Sequence, residues 1–273
     1  MKGILYIVST PIGNLEDITL RALKILKEVD VIAAEDTRHS LKLLNHYGIS
    51  KPLISYWGEK EKIKSEEILE KLQTGQSVAL VSDAGTPGIS DPGAVLIRKA
   101  IERGFPVVSI PGASAIIAAL SIAGLPTEEF TFLGFLPTKR NQRKNLLQEI
   151  SLERRTIVFY ESPHRLLETL YNMKEILSER KLALIKEISK IHEEVLRGSV
   201  SEILEKLKNT KIAGEYVIVL EGKIEGERHP SDALLEVNAL IKKGLGRKEA
   251  VKKVANAYGL SKKELYDKSL ESK

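Results

Sequence analysis

The chain has 273 residues, enough for two modest domains or for one large domain with an appendage. Its 42% hydrophobic and 29% charged residues are an ordinary globular balance, and the absence of cysteine excludes disulfides, thiolate nucleophiles and Cys-ligated zinc. The net charge is +5, but residues 240–273 alone carry ten Lys/Arg against four Asp/Glu, a balance of +6 that leaves the rest at −1. That tail reads either as a surface for an acidic partner or as a solvated helical face.

In chain order, residues 1–8 form an apolar run without a long hydrophobic core region or small-residue cleavage site, so they read as a strand from residue 4 and not as a signal peptide. Short β-branched runs follow at residues 31–34, 53–56, 78–81 and 107–110. Helical patterns lie between them at 18–28, 40–47, 63–73 and 92–103. Asp91-Pro92 reads as an N-cap followed by proline in the first helical position, and Gly104 as the stop. This alternation predicts a mostly parallel sheet covered by helices. The small-apolar stretch 113–125, broken by Ser114, Ser121 and Gly124, is too short to span a bilayer, and no membrane association is expected.

After Gly124-Leu125-Pro126 a second unit carries strand patterns at 130–135, 156–160, 182–188 and 216–220, suited to a mixed sheet. Its helices are expected from Ser162-Pro163 towards Leu177, and at 200–207. The basic stretch 139–144 reads either as a mobile loop or as the first turn of a helix. Residues 221–232 read as a linker, followed by helical patterns at 233–243, 247–258 and 262–269. Ser261 and Glu264 form a capping-box pattern, and the spacing across Gly259 resembles a helix-turn-helix. The expected division is an N-terminal α/β domain over 1–122, a second α/β domain over 123–224, and a linker with a basic helical tail over 225–273.

Open α/β sheets bind ligands at the carboxyl ends of their strands. Four strand-end segments have unusual composition: 9–15, 35–40, 82–93 and 111–114. None is a phosphate cradle, since neither a Walker pattern nor a G-x-G-x-x-G after the first strand occurs, so an ATPase and a classical dinucleotide enzyme are disfavoured. Asp83 reads equally as a ligand contact to a ribose hydroxyl or amino group and as a turn residue. Asp91 reads as a helix cap. Ser114 reads as a cap for the helix from Ala115, a ligand contact, or both.

The segments Ser9-Thr-Pro-Ile-Gly-Asn-Leu, Ala34-Glu-Asp-Thr-Arg-His, Leu80 to Gly93, Pro111-Gly-Ala-Ser and Ser162-Pro-His-Arg are weak individually and specific in combination. Together they resemble the ribosomal RNA small subunit methyltransferase I family, a branch of the tetrapyrrole methylase superfamily. The resemblance runs in order from about Leu5 to Gly222. It implies two α/β domains with a cleft for S-adenosylmethionine (S-adenosyl-L-methionine) between them, a cytoplasmic homodimer, and 2′-O-methylation of the ribose of cytidine-1402 in 16S rRNA, free or within the small ribosomal subunit. It implies cofactor contacts from Pro11, Asp83, Ala84, Gly85, Pro87, Ile89, Ala113 and Ser114, with Tyr160, Glu215 and Tyr216 as further candidates. The family's Arg-Glu-Leu-Thr-Lys is Lys186-Glu187-Ile188-Ser189-Lys190 here, which removes the forked guanidinium at position 186.

Methyl transfer from a sulfonium is an in-line displacement that needs no metal, and His39, His46, His164, His192 and His229 lack ligand spacing. A ribose hydroxyl gains from a general base or from a cation that stabilises its alkoxide. The candidates are Glu35, Asp36, Arg38, His164, Lys186 and Glu187, with His39, Tyr160, Glu161 and Arg165 beside them. A salt-bridged strand end is the bland reading of Glu35, Asp36 and Arg38. Cations at the helix start, His164 and Arg165, oppose the macrodipole, which favours a ligand role such as rRNA phosphate. For RNA, Lys139, Arg140, Arg143, Lys144, Arg247, Lys248, Lys252 and Lys253 are the candidates. Aromatics are only 5%, so phosphate and shape recognition should dominate over stacking, with Tyr56 and Trp57 as the stacking candidates. Two other functions compete: a tetrapyrrole or diphthamide-type methyltransferase on the same fold, and a non-catalytic RNA-binding protein using the tail.

Overall fold

A computed structural model describes residues 2–58, 61–177, 180–224 and 233–271. Three of the short apolar runs fold as read, β2 (Val31–Ala34), β4 (Val78–Val81) and β5 (Val107–Ile110), while β1 (Leu5–Val8) starts one residue later than expected and β3 is shortened to Leu53–Ser55. All pair in parallel in the order β3-β2-β4-β1-β5. Every residue of β2 and β4 is buried, which is why their sequences are unbroken apolar runs without alternation. Alternate strand residues feed two cores. Leu5, Ile7, Val31, Ala33, Val78 and Leu80 pack with Ile68, Leu69 and Leu72 of α3 (Glu61–Gln73) and Leu96 and Ala100 of α4 (Ala94–Glu102). Val8, Ile32, Ala34, Ala79 and Val81 pack with Ala22 and Leu26 of α1 (Leu20–Glu28) and Leu44 of α2 (Thr37–His46).

The helices therefore lie on opposite faces: α1 follows β1 to one side, and α4 follows β4 to the other. Since β1 and β4 are neighbours, their carboxyl-end loops diverge at a topological switch point, the usual ligand crevice of such sheets. The starts of these four helices differ from expectation, that of α3 by two residues, at Glu61. A short 3-10 turn, Leu15–Asp17, precedes α1, whose cap is Thr19, and Asp36 caps α2 three residues earlier than the pattern suggested. The expected Asp91-Pro92 cap of α4 is absent: Gly93 holds the cap position at φ 143° with no side-chain cap bond. Gly104 does terminate α4, at φ 70°.

The second sheet has the order β6-β7-β10-β8-β9 and is mixed. Strands β6 (Phe130–Phe135) and β7 (Thr156–Glu161) are parallel, while β8 (Lys181–Lys186), β9 (Glu194–Ser199) and β10 (Tyr216–Leu220) enter antiparallel pairs. Strand β9 escaped sequence reading because an edge strand carries charge and glycine where a central one carries apolar runs. Leu147 of α6 (Arg140–Glu149), Leu166, Leu170 and Met173 of α7 (Pro163–Leu177), and Ile203 and Leu207 of α8 (Val200–Leu207) cover one face of this sheet. The stretch 139–144 is thus the start of a full helix. By packing, one unit runs to Ala118 and includes Glu187–Glu193; the other comprises Ala119–Lys186 and the chain from Glu194 onward. The division runs through α5 (Ala115–Ala123).

Helices α9 (Ala233–Lys242), α10 (Arg247–Tyr258) and α11 (Lys262–Glu271) share a small core of their own, built from Ala233, Val237, Ala250, Val251, Val254, Ala255 and Leu265. Gly259 ends α10 in the left-handed region at φ 66°, and the Ser261 hydroxyl accepts the Glu264 amide at 3.4 Å. Most of the expected linker, residues 225–232, lies outside the described residues.

Candidate active site

Backbone and side-chain bonds join the strand-end loops of the parallel sheet. Thr10 and Gly85 exchange both backbone hydrogen bonds, at 2.8 and 3.1 Å, forming a bridge between the loops after β1 and β4. The Thr10 hydroxyl donates to the Ser82 carbonyl at 3.1 Å, and the Ser9 and Thr86 hydroxyls are 2.8 Å apart. The loop after β2 joins the same cluster: the Asp36 amide donates to Asp83 Oδ1 at 3.0 Å, and the Asp83 amide to Glu35 Oε2 at 3.4 Å. Gly112, after β5, lies so close to Ser9 that a Cβ there would sit 2.9 Å from the Ser9 Cβ. Residues 187–193 close the ring. A Cβ on Gly13 would sit 2.4 Å from Lys190 Cγ, Ser189 Oγ donates to Asp17 Oδ2, and Lys190 pairs with Glu187 at 2.8 Å. Glu187 and Ser189 hold φ of 51° and 66°, an unusual backbone for residues with side chains.

Four carboxyls, Glu35, Asp36, Asp83 and Asp91, share this edge. Burial, with the charges of Glu35 and Asp83 nearby, pushes Asp91 up to about 6, and a bond from Ser82 offsets part of the shift. Burial also raises Glu35; the charges of Asp83 and Asp36 add to this, and the Asp83 amide opposes it. Asp36 is displaced downward by hydrogen bonds from the Arg38 side chain and amide. Asp91 is the member that sequence reading assigned to a cap. The signal available was its place in the Ser82–Gly93 loop, but Asp-Pro before a helix pattern is also the commonest cap signature. Gly93, close by in the same loop, donates its amide to Glu61 Oε1 at 2.9 Å.

Of the expected cofactor contacts, Pro11, Gly85 and Pro87 are buried in the loop cluster, Asp83, Ala113 and Ser114 are half-buried, and Ala84 and Ile89 are exposed. Ser114 accepts the Ala118 amide at its carbonyl, the backbone role of a helix cap. Pro87 and Ile89 also line a depression of about 420 Å³ on the α4 flank with Ile97 and Ile101, to one side of the carboxyl cluster. Asp36 and Arg38 form a surface pair at 2.7 Å with Arg38 87% exposed, the salt-bridged strand end. Tyr160 and Tyr216 belong to the second sheet, where Tyr216 stands opposite Glu161 on β7 and Lys186 on β8, and Glu215 immediately precedes β10. Lys186 reaches Glu194 across the hairpin at 3.6 Å, and His164 is exposed at the start of α7.

Several expected ligand residues serve the fold instead. Arg143 is fully buried, its Nη2 2.5 Å from Glu168 Oε1, so it does not face phosphate. Arg165 is turned inward, 3.1 Å from the buried Glu161 and bonded to the Leu136 carbonyl at 2.6 Å. Thr169 and the Ser162 amide complete the Glu161 shell at 2.6 and 2.8 Å. Tyr56 is buried with its hydroxyl 3.2 Å from Ser65, which removes it as a stacking surface, while Trp57 is 40% exposed. Lys144 pairs with Glu175, and Arg247 donates to the Ser269 carbonyl. Lys139, Arg140, Lys248, Lys252 and Lys253 are exposed. Among the described residues no group of His, Asp or Glu is arranged to hold a metal ion, and no helix is long and apolar enough to cross a membrane.

The model of the tetrapyrrole (corrin/porphyrin) methylases matches residues 4–204. A uroporphyrin-III C-methyl transferase from Thermus thermophilus, solved with S-adenyl homocysteine, superposes with a TM-score of 0.56 at 19% identity, over 80% of this chain and 97% of that one; this is a likeness of fold. Two curated relatives are nearer in sequence. The ribosomal RNA small subunit methyltransferase I of Halalkalibacterium halodurans is 45% identical, covering 97% of this chain and 94% of the relative. That of Escherichia coli O157:H7 is 47% identical, covering 99% and 96%. The chain belongs to the tetrapyrrole methylase family, in the branch of the ribosomal RNA small subunit methyltransferases I.

Proposed function

We propose that this protein transfers a methyl group from S-adenosylmethionine to 16S rRNA, at the ribose 2′-oxygen of cytidine-1402. The observation that carries the reading is the convergence of the loops after β1, β2, β4 and β5 at one switch point, in a chain whose relatives are named as small-subunit rRNA methyltransferases. The donor set suits such a cofactor. Carboxyls at Glu35, Asp83 and Asp91 complement a sulfonium and an amino group, and the backbone of Ala84, Gly85, Ala113 and Ser114 offers close approach to an adenosine.

When bound, the cofactor supplies an activated methyl group. The protein's part is position, charge and the removal of a proton. Glu35 is our choice of base, because burial raises its carboxyl and its Oε2 is oriented by the Asp83 amide. Asp36 and Arg38 shape the start of α2, and His164, Lys186 and Glu187 remain proposed contacts to the RNA or the reacting ribose. Lys139, Arg140, Lys248, Lys252 and Lys253 would neutralise phosphates. A cytoplasmic homodimer belongs to the same proposal.

The test is incubation with methyl-labelled S-adenosylmethionine and undermethylated small subunits, followed by mapping of 2′-O-methylation. Transfer to that cytidine is expected. Transfer to a tetrapyrrole but not to RNA would replace the substrate. No transfer and no calorimetric binding of the cofactor would end the enzymatic reading.

A further inference from the structure

Phe135 ends β6 with its ring 58% exposed, an uncommon position for one of the chain's five phenylalanines. Its placement is built. The β6–β7 register shifts between Phe132 and Phe135, where Gly134 takes φ 65°, and this irregularity turns Phe135 beside Tyr160 on the paired strand. The Phe135 and Tyr160 rings are tilted with centroids 5.5 Å apart, and Phe132 meets the Tyr160 ring edge-on at 5.1 Å. The next residue is tied down as well: the Leu136 carbonyl accepts from Arg165, and Arg165 is anchored on the buried Glu161. Phe135 is thus an outward ring on a braced support.

The flank is cationic. Arg143 and Lys144 are committed to Glu168 and Glu175, and Lys139 and Arg140 are exposed four and five residues after Phe135. A braced aromatic face with cations close by in sequence matches unpaired nucleic acid, whose bases stack while its phosphates are neutralised.

We propose that Phe135 is a stacking platform for an unpaired base of the RNA substrate, with Lys139 and Arg140 holding the adjoining phosphates. This deepens the rRNA reading and rests on it for the identity of the RNA. Stacking on an aromatic ring is worth about 5- to 100-fold in affinity per base.

The experiment uses the full chain and a single-stranded RNA oligonucleotide carrying 2-aminopurine, whose fluorescence is quenched on stacking. Wild-type protein should quench it. Phe135→Leu, which keeps an apolar side chain of similar volume, should lose the quenching and weaken binding by about 5- to 100-fold. Phe135→Trp should restore both, and cofactor affinity by calorimetry should be unchanged in each variant. Equal quenching and affinity in Phe135→Leu would overturn the platform. So would a Phe135→Leu protein that changes oligomeric state in light scattering with RNA affinity intact, because the ring would then be a subunit contact. Methyl transfer by wild type with no effect of Phe135→Leu on quenching or KM removes the platform alone. Quenching that depends on Phe135 without methyl transfer removes the rRNA methylation reading alone.

Discussion

The Asp36 amide donates to Asp83 Oδ1 at 3.0 Å, so the carboxylate of the Gly/Pro-rich loop is the clasp that holds the loop after β2 against the loop after β4. Of the two roles open to Asp83, support of the loops is realised on this oxygen. The bond joins residues 47 apart in the chain, and Glu35 answers it by accepting the Asp83 amide.

Replacing Asp83 with Ala should therefore lower stability as well as cofactor affinity. A hydrogen bond to a charged acceptor contributes roughly 1.5–3 kcal/mol. Asp83→Asn keeps an acceptor oxygen and should retain most of the stability. Thermal unfolding and calorimetric titration of S-adenosylmethionine on both variants check this; an unchanged melting temperature in Asp83→Ala would deny the clasp.

Asp91 should make stability fall with rising pH. Its folded-state pKa of about 6 lies above the ordinary 3.8, so the folded protein holds this proton more tightly than the unfolded chain does. The contribution is complete below about pH 4 and is lost as pH rises through 6. Asp91→Asn, which stays neutral, should exceed wild type in urea unfolding above pH 6 by at most about 3 kcal/mol, and the difference should vanish in acid. A pH-independent difference would show that the charge is not the cause.

Gly93→Ala should destabilise the protein by about 1–3 kcal/mol. A Cβ there would meet the Gly88 amide nitrogen at 3.0 Å and Leu80 Cδ2 at 3.1 Å, on a backbone at φ 143°. Ala94→Gly, one residue on in the exposed first turn of α4, should cost less than about 1 kcal/mol. Chemical denaturation of the two variants separates a loop-specific effect from a general one.

Basic residues of similar appearance should separate by experiment. Arg143→Ala empties a fully buried site, while the Glu168 carboxylate it leaves is half-exposed and finds water, so the cost is lost packing: unfolding should ease by about 2–5 kcal/mol while the salt dependence of RNA binding stays. The triple change of Lys248, Lys252 and Lys253 to Ala should leave stability within about 1 kcal/mol. It should reduce the slope of log affinity against log salt by up to about 0.7–0.9 for each phosphate that is no longer neutralised. Filter binding across a salt series reads both. An unchanged slope in the lysine variant would make α10 a solvated face.

What the sequence determined by itself was set by short-range pattern. Residues 31–34, 78–81 and 107–110 are strands at the expected bounds, because four consecutive residues of strand-forming type with turn residues on both sides leave few alternatives. The switch-point loops were visible for a related reason: glycine and proline mark backbone that neither helix nor strand can use. Tertiary structure decided the rest. The sequence of β9 gains its strand only from pairing with β8, Lys181 to Lys186 against Ser199 to Glu194, an alignment that local propensity does not encode. Asp91-Pro92 satisfies every local rule for a helix start, yet Gly93 takes the cap and Asp91 is drawn into a buried cluster with Glu35, contributed from a strand end more than fifty residues earlier. Arg143 and Arg140 are equally basic in the sequence; packing of α6 on α7 buries one and leaves the other in water. Side-chain burial and carboxyl proximity are sums over neighbours distant in the chain, and only the folded protein performs that sum.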